Sequence, residues 1–148
     1  MIELKRTAGA VWRGDLKHGE GTMSSPAGTF RDLDYRAASR FENEPGANPE
    51  EMIGAAHAAC FSMQLSHLIA SSGSDVESVE TKATVTLDMS GDSPQISRVH
   101  LETEGKVSGM NEEEFRRIAQ EAKETCPVSK LLMPGLGEMT MEAHLKAN

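Results

Sequence analysis

The spacing of apolar residues along the chain predicts a mixture of helices and strands. As far as Arg40, short apolar runs are separated by turn sequences such as residues 25–28, which indicates a small antiparallel meander. Further along, apolar and polar residues alternate in three stretches, each of which is predicted to be a strand. These strands cover residues 77–87, 96–103 and 139–145.

Three segments carry helix-start signals, which are an N-cap residue or a proline in the first turn. The predicted helices cover residues 49–71, 112–124 and 127–132. The first start is the clearest, because Asn48 is a favoured N-cap and Pro49 follows it. Residues 52, 56, 60, 63 and 67 recur at helical intervals, so we expect that helix to bury the stripe that includes Cys60.

Length and pattern together indicate the fold class. The chain has 148 residues, of which 38% are hydrophobic, enough for one core without disulfide bonds. Helices and strands follow one another without a linker or a repeat, so the prediction is a single α+β domain over residues 1–148. Aromatic residues make up only 4% of the chain, and so thin a core suggests that a second subunit completes it.

Charge and hydropathy exclude two classes of partner. The formal net charge is −8, which repels a phosphate backbone, and no basic stripe offsets it, so we expect no nucleic acid partner. No window approaches the ~18 consecutive apolar residues that span a bilayer. Residues 1–12 are charged and lack the apolar centre of a signal peptide. The expectation is a cytoplasmic protein without a membrane partner.

The chain contains two cysteines, Cys60 and Cys126. Secreted disulfide scaffolds are much richer in cysteine, and structural zinc sites offer paired ligands at short spacing. His57, Cys60 and Cys126, with His67, could surround a zinc ion, but this spacing is common by chance, and no metal is predicted. Two possibilities remain from the residues alone, which are two inert buried thiols or one reactive pair.

The surroundings of each cysteine leave its chemistry open. Cys126 directly precedes Pro127, and a helix amino terminus lowers the pKa of a thiol, although a free cysteine also packs as a small hydrophobic residue. Cys60 lies too deep in its helix for that effect and needs a cation from elsewhere. His57 could supply a Cys–His pair of the thiol hydrolase kind, but a lone histidine is more often packed. An arginine is the stronger candidate for the cation beside Cys60. The chain has eight arginines, and composition does not choose among them.

Two stretches resemble a known family. Residues 48–63 read NPEEMIGAAHAACFSM and residues 126–129 read CPVS, with further similarity at residues 12–16, 21–22 and 40–42. This combination resembles the OsmC branch of the OsmC/Ohr family of thiol peroxidases. The resemblance implies an intertwined homodimer in which antiparallel sheets wrap around long central helices, with two active sites at the subunit interface.

The resemblance also implies roles for four residues. Cys60 is the peroxidatic cysteine by motif position, Cys126 the resolving cysteine, and Arg40 and Glu50 their polar partners. The implied enzyme reduces organic hydroperoxides, and hydrogen peroxide more weakly, through a Cys60 sulfenic acid and a Cys60–Cys126 disulfide. It needs no cofactor, and an external dithiol resets it, for which a lipoyl protein is a candidate. The alternatives are a Cys–His thiol hydrolase or acyl transferase, and a non-catalytic redox dimer of the stress response.

Helix geometry limits how these residues meet. Glu50 and Cys60 share the predicted helix 49–71, where ~1.5 Å per residue separates them by ~15 Å along the axis. They cannot hydrogen-bond directly within one straight helix. We therefore expect the Arg40 and Glu50 that face a given Cys60 to come at least partly from the partner subunit, unless the helix is sharply bent.

Overall fold

A computed structural model describes residues 2–147, which form two compact units. The first unit extends to Met52 and the second begins at Ile53. The single domain expected over residues 1–148 stays a prediction, and its first and last residues lie outside the described part.

The first unit is the expected meander with one addition. Three antiparallel strands follow one another in sheet order: β1 (Gly9–Arg13), β2 (Glu20–Ser24) and β3 (Leu33–Tyr35). A five-residue helix, α1 (Ala37–Phe41), comes next and was not predicted. Its start depends on a local contact, in which the Ser39 hydroxyl accepts a hydrogen bond from the backbone N–H of Arg36. One turn of helix is too short to show an apolar period, which explains why the pattern missed it.

Gly21 allows this small sheet to pack. The rings of Trp12 and Tyr35 lie on either side of it, with centroids 5.3 Å apart. A Cβ atom at Gly21 would lie 2.6 Å from the Tyr35 ring and 2.8 Å from the Trp12 ring, closer than real contacts allow. The two aromatic rings therefore meet only because the residue between them has no side chain.

The second unit contains a three-stranded sheet with helices. Its elements are the greater part of α2 (Pro49–Ser71), then β4 (Asp75–Asp88), β5 (Gln95–Ser108), α3 (Glu112–Thr125), α4 (Pro127–Leu132), a single 3₁₀ turn (Met133–Gly135) and β6 (Glu138–Leu145). The predicted starts at Pro49 and Pro127 are confirmed. The Asn48 side chain accepts from the backbone N–H of Glu51, and the Asn111 side chain accepts from that of Glu114, so both N-caps form as expected.

The α+β class is confirmed, with one correction to the expected antiparallel sheets. Strands β4 and β5 pair antiparallel, but β6 pairs parallel with β5. The connection from β5 to β6 contains α3 and α4, which carry the chain back along the sheet. A strand that follows such a crossover can enter in the same direction as its neighbour.

The core of the second unit lies between the sheet and helices α2 and α3. Its fully buried large side chains include Phe61 and Leu65 of α2, Leu101 of β5 and Phe115 of α3. The Phe115 ring lies against Gly105, where a Cβ atom would come within 2.5 Å of it. The sheet therefore admits this ring only at a glycine.

The buried face of α2 differs from the expected one. His57, Phe61, Leu65 and Ile69 are buried, whereas Met63 is 76% exposed and residues 56 and 67 are also exposed. Apolar residues surround most of this helix, so the spacing alone could not choose between two adjacent stripes. Cys60 lies at the border between them and is half-buried. Over residues 2–147, the structure contains no helix whose length and hydropathy would let it cross a bilayer.

Candidate active site

The fold brings the two cysteines of the second unit together. Cys60 lies on α2, and Cys126 stands between α3 and α4. The two Sγ atoms lie 3.0 Å apart, so either thiol can donate a hydrogen bond to the other sulfur. A disulfide bond is ~2.05 Å long, so these two free thiols would need to approach each other by ~1 Å to form one. The expected proximity of the two sulfurs is therefore present within one chain.

The two thiols differ in exposure. Cys126 is fully buried, and Cys60 is half-buried. Burial raises the pKa of the Cys60 thiol, as does the neighbouring Cys126 thiol, while the backbone N–H of Val128 lowers it. Cys60 is therefore the more accessible of the two residues. Its surroundings in this unit raise the pKa of its thiol and so favour the neutral form.

The sequence left two possibilities for Cys126, a thiol that caps α4 or a packed small residue, and the structure shows the second. Cys126 occupies the N-cap position of α4, but its side chain makes no capping hydrogen bond. The backbone N–H of Val128, in the first turn of α4, instead lowers the pKa of the Cys60 thiol. A backbone donor at a helix start stabilises negative charge, so α4 would favour a thiolate at Cys60.

His57 is packed, as expected for a lone histidine on this helix. It is fully buried, and its Nε2 lies 2.7 Å from the Oγ of Ser129, which is also buried. Burial lowers the pKa of the imidazole, which is therefore neutral at pH 7. Within residues 2–147, the other ring nitrogen, Nδ1, has no hydrogen-bond partner. The structure thus engages Nε2 of His57 with Ser129 rather than with Cys60.

A second polar contact joins α2 to the residue before Cys126. The Gln64 side-chain amide donates to the Thr125 hydroxyl oxygen over 2.9 Å. That hydroxyl donates its own proton to the backbone carbonyl of Glu121 over 2.8 Å, so its oxygen acts as the acceptor for Gln64. The contact therefore ties the end of α3 to α2.

Arg40 and Glu50 meet in the first unit. The Arg40 guanidinium donates to one Glu50 carboxylate oxygen from Nη2 over 2.9 Å and from Nε over 3.0 Å. Glu50 is buried, with 8% of its surface exposed. The guanidinium also lies over the Phe41 ring, 5.3 Å from its centroid. Pairing and stacking therefore fix the direction of the guanidinium.

An apolar cavity adjoins Arg40 in the same unit. Its volume is about 390 Å³. Its lining includes Trp12, Leu16, Tyr35, Arg40 and Phe41. Arg36 also lines the cavity, so largely apolar walls with two cationic groups suit a ligand that has an apolar tail and a polar end.

Metal ligation has one geometric candidate in the described residues, and it lies on the sheet of the second unit. One ligand atom each from His100, Glu102 and Glu142 lies within 4.8 Å of the others. These side chains are partly exposed, and Lys82 already pairs with Glu102 over 3.5 Å. The zinc alternative considered from sequence involved His67, which is exposed at the surface of α2.

The sequence reasoning missed four contributors to this site. They are the N–H of Val128, the hydroxyl of Ser129, and the Gln64–Thr125 pair. A spacing signal did exist, since His57 stands three residues before Cys60 and Ser129 stands three residues after Cys126. The other pair has no matching spacing, since Gln64 stands four residues after Cys60 and Thr125 stands one residue before Cys126.

Comparison with known proteins gives the family. A sequence model described as "OsmC-like protein" matches residues 41–136 of the chain. The chain belongs to the OsmC-like protein family. The OsmC branch is confirmed too, because the chain is 43% identical over 146 residues to "Peroxiredoxin OsmC" of Escherichia coli, covering 99% of this chain and 100% of that protein.

Solved structures agree with the OsmC-like fold. The organic hydroperoxide resistance protein OhrB of Bacillus subtilis superposes with a TM-score of 0.64 at 27% identity, covering 95% of this chain and 98% of that one. An OsmC-like protein of Mycoplasma pneumoniae superposes with a TM-score of 0.75 at 15% identity, covering 99% and 100%. The second likeness concerns the fold alone.

Proposed function

We propose that this protein is a thiol-dependent peroxidase that reduces organic hydroperoxides, with Cys60 as the peroxidatic and Cys126 as the resolving cysteine. The observation that carries the proposal is the 3.0 Å distance between the two sulfurs, one of them half-buried and one fully buried. The peroxiredoxin name of the 43% identical relative and the hydroperoxide resistance names of others support it.

The proposed cycle has three balanced steps. The Cys60 thiolate attacks the O–O bond, takes one oxygen as sulfenic acid and releases an alkoxide, which leaves as the alcohol after protonation. The Cys126 thiol then attacks the sulfenic sulfur, forming the disulfide and releasing water. An external dithiol reduces the disulfide and becomes a disulfide itself. A lipoyl protein is our candidate reductant, and a cytoplasmic location would keep such a cycle supplied with thiols.

Arg40 is proposed as the cationic partner of Cys60, with Glu50 as the carboxylate that orients it. The surroundings of Cys60 in its own unit raise the pKa of its thiol, so a fast thiolate reaction needs a cation from elsewhere. A guanidinium held by a buried carboxylate would stabilise both the thiolate and the departing alkoxide. Because Glu50 and Cys60 are ten residues apart along α2, we propose that each pair serves the Cys60 of the partner subunit in a homodimer.

The apolar cavity beside Arg40 favours a substrate with an alkyl or aryl group. Burial of an apolar tail contributes about 25 cal/mol per Å², a gain that hydrogen peroxide cannot make. The Arg40 guanidinium, one of two that line the cavity, would hold the polar peroxide end. We therefore propose a preference for organic hydroperoxides over hydrogen peroxide.

Mass spectrometry of the treated protein tests the proposed cycle. One equivalent of cumene hydroperoxide should remove two hydrogens within one chain, and digestion should give a peptide that joins Cys60 to Cys126. Consumption of further peroxide should then require a dithiol. A disulfide without rapid consumption under any reductant would instead indicate the non-catalytic redox dimer. An unchanged mass would contradict both.

A pH profile tests the role of Arg40. In Arg40→Met, we expect the rate constant for peroxide attack at pH 7 to fall at least about tenfold, because losing a nearby cation raises the pKa of Cys60 by about one unit or more. The rate of the variant should recover as pH rises through that pKa, since more thiolate forms. Rapid mixing across the pH range gives the profile.

The matched control is Arg98→Met, which removes an exposed guanidinium that lies 3.8 Å from Glu138. Its pH profile should match that of the wild type. A profile of Arg40→Met that also matches the wild type would show that another group ionises Cys60.

A further inference from the structure

The cysteine pair is flanked on both sides by side-chain hydrogen bonds. We name these the His–Ser clamp, which joins His57 to Ser129 over 2.7 Å, and the Gln–Thr clamp, which joins Gln64 to Thr125 over 2.9 Å. Along α2, Cys60 stands between the two clamp residues of that helix. Along the other segment, Cys126 likewise stands between Thr125 and Ser129.

The order of the contacts shows an antiparallel ladder. Along α2 the partners come in the order His57, Cys60 and Gln64. Their partners in the other segment come in the reverse order, Ser129, Cys126 and Thr125. His57 and Gln64 are seven residues apart on α2, which is about two helical turns or ~10 Å. The sulfur pair is thus held between two contacts that together determine how the segment lies along the helix.

Both clamps have well-defined partners. In the His–Ser clamp, both residues are fully buried, so separating them leaves polar atoms without water or a partner, which is costly. In the Gln–Thr clamp, the Thr125 proton is committed to the Glu121 carbonyl, so its oxygen accepts only in the direction of Gln64. Displacement of the 125–129 segment would therefore break two specific bonds.

We propose that the two clamps are positioning elements for disulfide formation, which hold the Cys126 sulfur within ~1 Å of bonding distance from the Cys60 sulfur. In the step concerned, which rests on the proposed function, the Cys126 thiol attacks the sulfenic sulfur of Cys60. The S–S bond forms, the S–O bond breaks, and water leaves with the thiol proton.

The clamps act on the second step of the cycle far more than on the first. Peroxide attack needs only an ionised, accessible Cys60, whereas resolution needs Cys126 at a defined place. If the Cys126 sulfur moves away from Cys60, the sulfenic acid persists and a second peroxide molecule oxidises it to sulfinic acid. Loosened clamps should therefore slow resolution and increase over-oxidation, while the rate of the first attack changes only as far as the Val128 N–H of the same segment contributes to ionising Cys60.

The midpoint potential of the Cys60–Cys126 disulfide tests the proposal without any peroxide. In thiol–disulfide buffers, Ser129→Ala and Thr125→Val should each raise the potential by about 30 mV, which corresponds to a tenfold weaker tendency to form the disulfide. The conservative Thr125→Ser keeps the hydroxyl and should keep the wild-type potential. Thr125 is only half-buried, so its variants should fold even if Ser129→Ala does not.

The matched control is Ser62→Ala. Ser62 donates to the Thr81 hydroxyl over 2.7 Å, which is a similar bond from the same helix, but to β4 instead of the cysteine segment. Ser62→Ala should lower the free energy of unfolding without changing the midpoint potential of the disulfide. After rapid mixing with cumene hydroperoxide, the clamp variants should keep the peroxide-dependent phase within about twofold and slow the disulfide phase about tenfold.

Two results would overturn the proposal. One is an unchanged potential and disulfide rate in folded Thr125→Val and Ser129→Ala, and the other is an equal shift in Ser62→Ala, which would indicate a general loss of packing. Failure of the proposed function looks different, since a disulfide would still form in thiol buffers with a clamp-dependent potential but peroxide would not be consumed. Absence of any Cys60–Cys126 disulfide would contradict both proposals.

Discussion

Cys60→Ser should consume cumene hydroperoxide at least about a thousandfold more slowly than the wild type in the presence of a dithiol. The reason lies in the nucleophile. A thiol becomes a thiolate within reach of neutral pH, whereas a serine hydroxyl in the same place stays protonated and attacks an O–O bond poorly. The Val128 N–H that lowers the pKa of the Cys60 thiol stabilises negative charge at that atom, so its effect is also lost.

The measurement must separate lost chemistry from lost structure. Serine is close to cysteine in size and Cys60 is only half-buried, so circular dichroism and the thermal unfolding midpoint should stay close to the wild type. Undiminished peroxide consumption by a folded Cys60→Ser would end the peroxidase assignment. Loss of ester or thioester hydrolysis by the same variant would support the thiol hydrolase alternative instead.

Cys126→Ala should keep the first attack on peroxide but lose efficient turnover. The sulfenic acid of Cys60 then has no thiol 3.0 Å away to condense with. We expect the first, peroxide-dependent phase to stay within about threefold and the steady-state rate with a dithiol to fall at least about tenfold. Mass spectrometry under excess peroxide should show Cys60 with two added oxygen atoms, the sulfinic acid.

Two comparisons complete this test. Cys126→Ser places a hydroxyl in a fully buried apolar site, so a shared kinetic result from the alanine and serine variants excludes a packing effect. A Cys–His hydrolase would not need Cys126 and would keep its activity on esters. Full peroxide turnover by Cys126→Ala, with no over-oxidation, would show that Cys126 is not the resolving residue.

Local signals account for the elements that the sequence predicted best. The start of α2 follows from the Asn48 cap and Pro49, and that of α4 from Pro127, because capping and the fixed φ of proline act within one turn. Strands β4 and β5 extend beyond their predicted ends, since pairing with a neighbouring strand continues where the alternation of polar and apolar residues fades. The missed α1 has no such pattern at all.

The candidate site was predictable only in part. Its four residues were assigned through family resemblance, and the structure brings Cys60 to Cys126 and Arg40 to Glu50 as two separate pairs. Composition could not select Arg40 from the eight arginines. The Val128 N–H could not be anticipated either, because a backbone donor leaves no trace in residue type.

The sequence by itself determined where α2, α3 and α4 begin, that the chain is of α+β class, and which two residues carry thiols. The helix starts and the α+β pattern depend on interactions between residues a few positions apart, and the two thiols follow directly from the residue types. Only the tertiary structure decided that β6 runs parallel to β5, that α2 buries the His57 stripe, and that the Val128 N–H of α4 lowers the pKa of Cys60. Each of these depends on packing between segments distant in the chain, where many arrangements satisfy the same local preferences and the burial of the whole core selects one.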